Sequence, residues 1–129
     1  MESIFKVIAS HLKSGVMDRK SPFHICYTST ILQHDFGHYI PKSRSVVLRY
    51  FEPDDRIIGF NSNINSSKIK ELRANPYIEI LFYSARDKLQ FRFAAKASIH
   101  HQDEVATNCW NKMRETSKKC YLDSDIIED

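Results

Sequence analysis

Apolar residues recur at helical spacing at the start of the chain. Ile4, Ile8 and Leu12 follow one another at intervals of four, and Phe5 lies three positions before Ile8. Glu2, Lys6 and Lys13 face elsewhere. This pattern is typical of an amphipathic helix, and Gly15 marks its predicted end. We expect the apolar side of this helix to pack against the rest of the protein.

The middle of the chain is rich in β-branched and aromatic residues, which favour strands. Predicted strands cover residues 23–32, 37–51, 56–62, 77–84 and 88–100. The sequence EPDD after the second segment is typical of a turn, so the second and third strands should form a hairpin. Several connections are too short for crossover helices. The expected fold class is therefore mainly β with flanking helices (α+β), with an antiparallel sheet curled into a barrel.

A second helix is predicted in the segment NSSKIKELRANP. Ile69 and Leu72 are three positions apart, Asn65 or Ser66 is a candidate N-cap, and Pro76 ends the pattern.

The end of the chain predicts one further helix and a tail. Residues 101–119 place apolar side chains on one face and acidic ones in the first turn, where the helix dipole favours them. The acidic residues 123–129 lack such a pattern, and we expect them to be frayed. A single domain is expected over residues 1–122.

Composition limits the classes of function. Nineteen basic and sixteen acidic residues are spread along the chain, so the net charge of +3 does not by itself require nucleic acid or a membrane. No stretch approaches the roughly 20 apolar residues of a membrane span. The six histidines lack the spacing of metal ligands. Cys26, Cys109 and Cys120 form none of the close pairs of zinc sites or disulfide frameworks, which predicts a reducing, cytoplasmic location.

The start of the second predicted helix has the chemistry of an anion site. A helix start exposes unpaired N–H groups and a partial positive charge. Ser62, Ser66 and Ser67 add hydroxyl groups, and Lys68 adds a full charge, a combination that suits a phosphate monoester. The alternative is an ordinary serine N-cap beside a solvated lysine.

The segment RSVVLR supplies two arginines, which suit bidentate phosphate recognition. Arg44 and Arg49 are five positions apart, so strict strand alternation places them on opposite faces. Both can reach one ligand only if the strand bulges or one side chain reaches around its end.

The order of these segments, RSVVLR, a hairpin turn, FNSNINSSKIKELRANPYIEILFY and then KLQFRF, resembles the pyridoxamine 5′-phosphate oxidase-like family of flavin-binding split barrels. The resemblance covers roughly residues 23–121. It implies an antiparallel split β-barrel in which FMN binds at the interface of a homodimer. The cofactor-binding residues that it implies are Arg44, Ser45, Val46, Val47, Arg49, Asn61, Ser62, Ser67, Lys68 and Gln90.

The resemblance also implies an oxidoreductase that passes hydride to or from bound FMN. The substrate would be a small molecule such as a phosphorylated B6 vitamer. The family's substrate-phosphate motif of tyrosine, arginine and serine corresponds to Trp110, Arg114 and Ser117, with tryptophan in place of tyrosine and the serine one position early. These three could equally be surface residues of the last helix.

Departures from the family leave two alternatives open. Asn61 stands where the family has tyrosine, Ser67 where it has arginine, and Arg49 where it has lysine. The sequence also ends without the family's C-terminal tryptophan and arginine. A second hypothesis is therefore a non-catalytic, dimeric flavin-binding module. A third, a nucleic-acid-binding barrel, depends only on the pI near 8.8 and is disfavoured.

Overall fold

The computed structural model describes residues 2–101 and 124–128. Within these ranges the chain forms two helices, eight strands and one 3₁₀ turn. In chain order they are α1 (Glu2–Met17), β1 (Ile25–Gln33), the 3₁₀ turn (Asp35–Gly37), β2 (Tyr39–Val47), β3 (Tyr50–Glu52), β4 (Ile57–Asn63), α2 (Ser67–Ala74), β5 (Tyr77–Ser84), β6 (Leu89–Lys96), β7 (Ser98–His100) and β8 (Ser124–Glu128). The helix predicted over 101–119 lies outside the described residues, apart from residue 101.

The strands form two four-stranded sheets. Their orders are β2-β1-β5-β6 and β3-β4-β8-β7, and every pairing is antiparallel. Since β2 leads into β3 and β6 leads into β7, both edges of one sheet continue into edges of the other. The fold is therefore an antiparallel split β-barrel with two helices among the described residues, as the sequence predicts.

Two predicted strands are each divided between the sheets, which corrects the single segments 37–51 and 88–100. The first division falls at Leu48 and Arg49, whose successive N–H groups point in different directions. Leu48 donates to the carbonyl of His24 beside β1 (2.8 Å), whereas Arg49 donates to the carbonyl of Gly59 in β4 (3.0 Å). The second falls at Ala97, which donates to the carbonyl of Pro76 (2.7 Å). Tertiary hydrogen bonds, which local composition does not encode, thus divide the segments.

The C-terminal strand β8 differs from the frayed tail expected over 123–129. Ser124–Glu128 pairs with β4 on one side and β7 on the other. Without β8 the facing edges of these strands would present unpaired backbone groups, which are costly when they are shielded from water. An acidic composition did not reveal this backbone pairing.

Helix α1 packs closely against the chain that enters β1. It extends two residues beyond the end predicted at Gly15. The Nδ1 of His24 lies 2.8 Å from the Gly15 carbonyl oxygen and donates a hydrogen bond to it. A Cβ at position 15 would lie 2.4 Å from the carbonyl oxygen of Phe23, so glycine permits this approach. Neither helix of the described ranges is long and apolar enough to cross a membrane.

The core lies between the two sheets and beneath the helices. Aromatic rings of β5 and β6 contribute to it: Phe91 stacks on Phe23 at 5.4 Å, and Phe93 meets Phe82 edge-on at 5.9 Å. Tyr83, the neighbour of Phe82, is 52% exposed on the outer face. The buried apolar residues of the core are Leu12, Phe23, Cys26, Val46, Leu48, Ile58, Phe60, Ile69, Leu72, Ile78, Ile80 and Phe82.

Candidate functional site

The start of α2 carries a cluster of hydroxyl groups and one lysine. Ser66 is the N-cap, but its hydroxyl lies 3.0 Å from that of Ser62 in β4 instead of capping the helix. The ammonium of Lys68 donates a hydrogen bond to the same Ser62 hydroxyl. No acidic residue lies in the first turn of α2. The positive end of the helix dipole is therefore reinforced by a lysine.

The electrostatics of Lys68 link this cluster to β2. Burial lowers the pKa of Lys68, the nearby charge of Arg44 lowers it further, and the carboxylate of Glu71 partly opposes both. Arg44 contacts Glu71, one helical turn after Lys68, so both cations are brought to α2 and each disfavours the charge of the other. An anion bound beside Arg44 and Lys68 would relieve this repulsion.

Arg44 is held by residues that sequence reasoning did not identify. Its Nη1 donates to Thr30 Oγ1 (2.8 Å) and to the carbonyl of Lys42 (3.3 Å), and its Nη2 donates to Glu71 Oε1 (3.1 Å). The Thr30 hydroxyl donates to the same Glu71 oxygen at 2.6 Å. The sequence offered one signal for this contact. Glu71 is an acidic residue on the buried side of a short helix, and buried acidic residues are almost always paired with a cation or a hydrogen-bond donor.

The two arginines of RSVVLR are separated by the passage between sheets. Arg44 belongs to β2, which pairs with β1 without a bulge from Ile25 to Gln33. Arg49 follows the division, and its N–H group bonds to β4 two residues before Asn61. Strict alternation does not hold between the two arginines, because the chain leaves one sheet and joins the other between them.

The residues between the arginines alternate between the two faces of β2. Val46 is buried in the core, whereas Ser45 is exposed on the outer face. Ser45 lies opposite Tyr27 of β1, and Val47 lies opposite Ile25. The side chain of Val46 therefore shares the inner face of β2 with Arg44, whereas those of Ser45 and Val47 point to the outer face.

Gln90 is not brought to this cluster within one chain. It is exposed on the outer face of β6, opposite Tyr83. Because β6 and β2 are the two edges of one four-stranded sheet, they are three strand spacings, or about 14 Å, apart. Arg44 faces the interior side of that sheet, together with Val46.

Ser67 borders a cavity at the start of α2. This cavity, of about 530 Å³, lies between α2 and the β1–β2 connection and is also lined by Lys70 and Glu71. Phe36 lines the same cavity and is 97% exposed. Glu71 is thus shared between this cavity and the Arg44 cluster.

Other candidate chemistry is not supported within the described ranges. Burial raises the pKa of the Cys26 thiol to about 12, which suppresses the thiolate, and His24 is engaged with Gly15. No group of three or more potential metal ligands occurs among the described residues. The predicted substrate residues Trp110, Arg114 and Ser117 lie outside them.

These features define a split barrel with a cationic, hydroxyl-rich cluster at a helix start. Residues 3–101 match the family described as pyridoxamine 5′-phosphate oxidase, FMN-binding domain. The chain belongs to this family. No protein of curated function matches it.

Solved structures show the same fold at low sequence identity. A pyridoxamine 5′-phosphate oxidase-related, FMN-binding protein from Nostoc punctiforme has a TM-score of 0.77 at 16% identity, over 95% of this chain and 77% of that one. A protein related to general stress protein 26 from Clostridium acetobutylicum has a TM-score of 0.73 at 11% identity, over 99% and 83%. General stress protein 26 from Bacillus anthracis has a TM-score of 0.67 at 16% identity, over 94% and 86%.

Proposed function

We propose that this protein binds FMN and holds its phosphate between Arg44 and Lys68. The observation that carries the proposal is that both cations meet α2: Lys68 contacts the Ser62 hydroxyl at the helix start, and Arg44 contacts Glu71 one turn later. Two positive charges and hydroxyl donors suit a dianionic phosphate monoester. Membership in a family whose domain is FMN-binding supports FMN over other phosphate compounds. Arg49, Ser67 and the backbone of β2 would add contacts.

We further propose that the protein is an oxidoreductase acting on a small molecule such as a phosphorylated B6 vitamer. Bound FMN supplies the hydride-transfer chemistry, and the protein binds and orients the reactants. Asn61 and Gln90 would contact the ribityl chain or the ring. Arg114, with Trp110 and Ser117, would bind the substrate anion. The dispersed cysteines support a cytoplasmic location.

A homodimer formed through the outer face of the β2-β1-β5-β6 sheet completes the proposal. Ile25, Tyr27 and Tyr83 are 38%, 45% and 52% exposed on this face. Tyr27 lies opposite Leu81 of β5, so the apolar surface continues across neighbouring strands. Ser45 and Gln90 lie on the same face, so a second copy would bring its own Gln90 to this surface.

Flavin binding tests the first part of the proposal. Purified protein is titrated with FMN and with riboflavin, and quenching of flavin fluorescence gives each dissociation constant. Tighter binding of FMN than of riboflavin is expected, and Arg44→Ala should remove most of that difference. A colourless protein whose thermal midpoint and fluorescence do not respond to FMN would refute it.

The alternative is a non-catalytic flavin-binding module. It is favoured by Asn61 and Ser67, which lack the ring and the charge found at these positions in the family. Under this alternative FMN binds but pyridoxamine phosphate and pyridoxine phosphate are not oxidised. Peroxide release from either substrate by the FMN-loaded protein decides in favour of the oxidoreductase.

A further inference from the structure

The guanidinium of Arg44 is held by a closed triangle of hydrogen bonds. One nitrogen donates to Thr30 Oγ1 at 2.8 Å and the other to Glu71 Oε1 at 3.1 Å. Thr30 closes the triangle by donating to the same Glu71 oxygen at 2.6 Å. Because two nitrogens of one planar group are fixed by acceptors on β1 and α2, the plane of the guanidinium is fixed as well.

The burial of this triangle makes it more than a surface ion pair. Thr30 is fully buried, and the Glu71 side chain is 5% exposed. The Arg44 side chain is 22% exposed, so one side of it remains open to a ligand. A buried carboxylate has a large desolvation cost and persists where it accepts hydrogen bonds from a cation.

Charge explains why Arg44 needs such support. The charged groups that act on Lys68 are Arg44 from β2 and Glu71 from α2, and Ser62 of β4 is its neutral partner. Without Glu71 and Thr30, repulsion from Lys68 would favour rotation of the half-buried Arg44 toward solvent. The two cations would then no longer face one ligand.

We propose that Thr30 and Glu71 are positioning residues for phosphate binding, which fix the Arg44 guanidinium beside Lys68 so that one phosphate meets both cations. This inference rests on the proposed binding of FMN. It assigns a role to two residues that need not touch the cofactor. Their contribution is therefore specific to the phosphate and is absent for the same flavin without one.

Two comparisons test this role: binding of FMN against riboflavin, and substitution of Thr30 against substitution of Thr28. Thr30→Val removes the hydroxyl at nearly constant shape, and Glu71→Gln removes the charge. Both should raise the dissociation constant for FMN by about 10-fold or more while leaving that for riboflavin unchanged. Thr30→Ser keeps a hydroxyl and should retain the FMN affinity that Thr30→Val loses. This pair of threonine variants keeps the test decisive if Glu71→Gln fails to fold. Thr28→Val is the matched control, since Thr28 is fully buried on the same face of β1 and its hydroxyl has no hydrogen-bond partner among the described residues.

The pH profile gives a second readout. The Glu71 carboxylate raises the pKa of Lys68, so its loss in Glu71→Gln should move the alkaline loss of FMN affinity to lower pH. If FMN binds but Thr30→Val and Glu71→Gln leave the ratio of FMN to riboflavin affinity unchanged, the positioning role is wrong and the proposed function stands. If the unaltered protein binds no FMN, the proposed function itself fails.

Discussion

The ammonium of Lys68, in α2, donates a hydrogen bond to the buried hydroxyl of Ser62, in β4. This contact brings a helix start and a strand end together at one point. Burial and the nearby Arg44 lower the pKa of Lys68, so the folded protein holds this proton less tightly than the unfolded chain does. The lysine therefore costs stability and is suited to an anionic ligand.

Lys68→Met should weaken FMN binding and raise the stability of the ligand-free protein at neutral pH. Loss of a charged hydrogen-bond donor predicts an FMN dissociation constant about 10-fold to 100-fold higher. Below its folded pKa, Lys68 is charged in both states and its full cost is present. Between that pKa and the unfolded value of 10.5, the unfolded chain binds more protons, so stability rises with pH.

Urea unfolding of the original protein and of Lys68→Met at several pH values measures this effect. The original protein should gain free energy of unfolding relative to the variant as the pH rises through that window. Lys70→Met, which removes an exposed lysine of the same helix, is the control for the loss of a lysine from α2. Parallel curves for the original protein and Lys68→Met would contradict the lowered pKa.

The sequence indicated which residue types make up the candidate cluster, whereas their contacts become visible only in the structure. Ser62 and Lys68 were identified by residue type and by position at a helix start, which are local properties. Glu71 and Thr30 were missed because their roles arise only when α2 packs beside β1, 41 residues away along the chain. The relative placement of Arg44 and Arg49 depends on the chain passing from one sheet to the other, which is set by hydrogen bonds to distant segments.

Strands were predicted correctly where the local sequence is strongly apolar. They were missed where a strand forms only by pairing with segments distant in the sequence. β5 was found at its full length of Tyr77–Ser84, because apolar residues fill it. β8 was missed because its short acidic sequence becomes a strand only between the open edges of β4 and β7. Pairing partners distant in sequence leave little local signal.

Gly15→Ala should destabilise the protein although alanine favours helices. A Cβ there would lie 2.4 Å from the Phe23 carbonyl oxygen, and backbone must move to admit it. The cost of overpacking outweighs a helix gain of about 1 kcal/mol, and we expect a net loss of about 1–2 kcal/mol. Urea unfolding measures it. Ser14→Ala, at an exposed neighbouring position of α1, should be neutral or slightly stabilising; equal effects of both changes would refute the close approach.

The Cys26 thiol should resist alkylation in the folded protein. Burial raises its pKa to about 12, compared with 9.0 for a free thiol. At mildly alkaline pH the thiolate fraction is therefore about a thousandth of that of a free thiol, and burial blocks access of the reagent as well. Iodoacetamide treatment with and without urea, followed by peptide mass analysis, measures the rate at this residue alone. Equal modification in both conditions would show that the thiol is accessible.

Tyr27→Glu should convert the proposed dimer to a monomer. The new carboxylate would be buried in the dimer interface on the outer face, opposite the apolar side chain of Leu81, and would carry a large desolvation cost. Light scattering coupled to size exclusion measures the mass in solution. Val7→Glu places the same charge at a 52% exposed apolar residue of α1 and should leave the dimer intact. A monomeric original protein, or a dimeric Tyr27→Glu, would exclude this face.

Arg44→Ala and Gln90→Ala should complement each other if each flavin site uses Arg44 of one chain and Gln90 of the other. Gln90 lies on the outer face at the far edge of the sheet from β2, so supply from a second copy is favoured. Each variant alone should bind FMN weakly. In mixed dimers of the two, one site carries both substitutions and the other carries neither. Half of the sites in mixed dimers, or about a quarter of all sites in an equimolar co-refolded mixture, should therefore regain the original affinity. Fluorescence titration of co-refolded protein measures this fraction, with each variant refolded alone as the control. If no high-affinity fraction forms although mixed dimers are present, Gln90 acts within its own chain or makes no contact with the flavin.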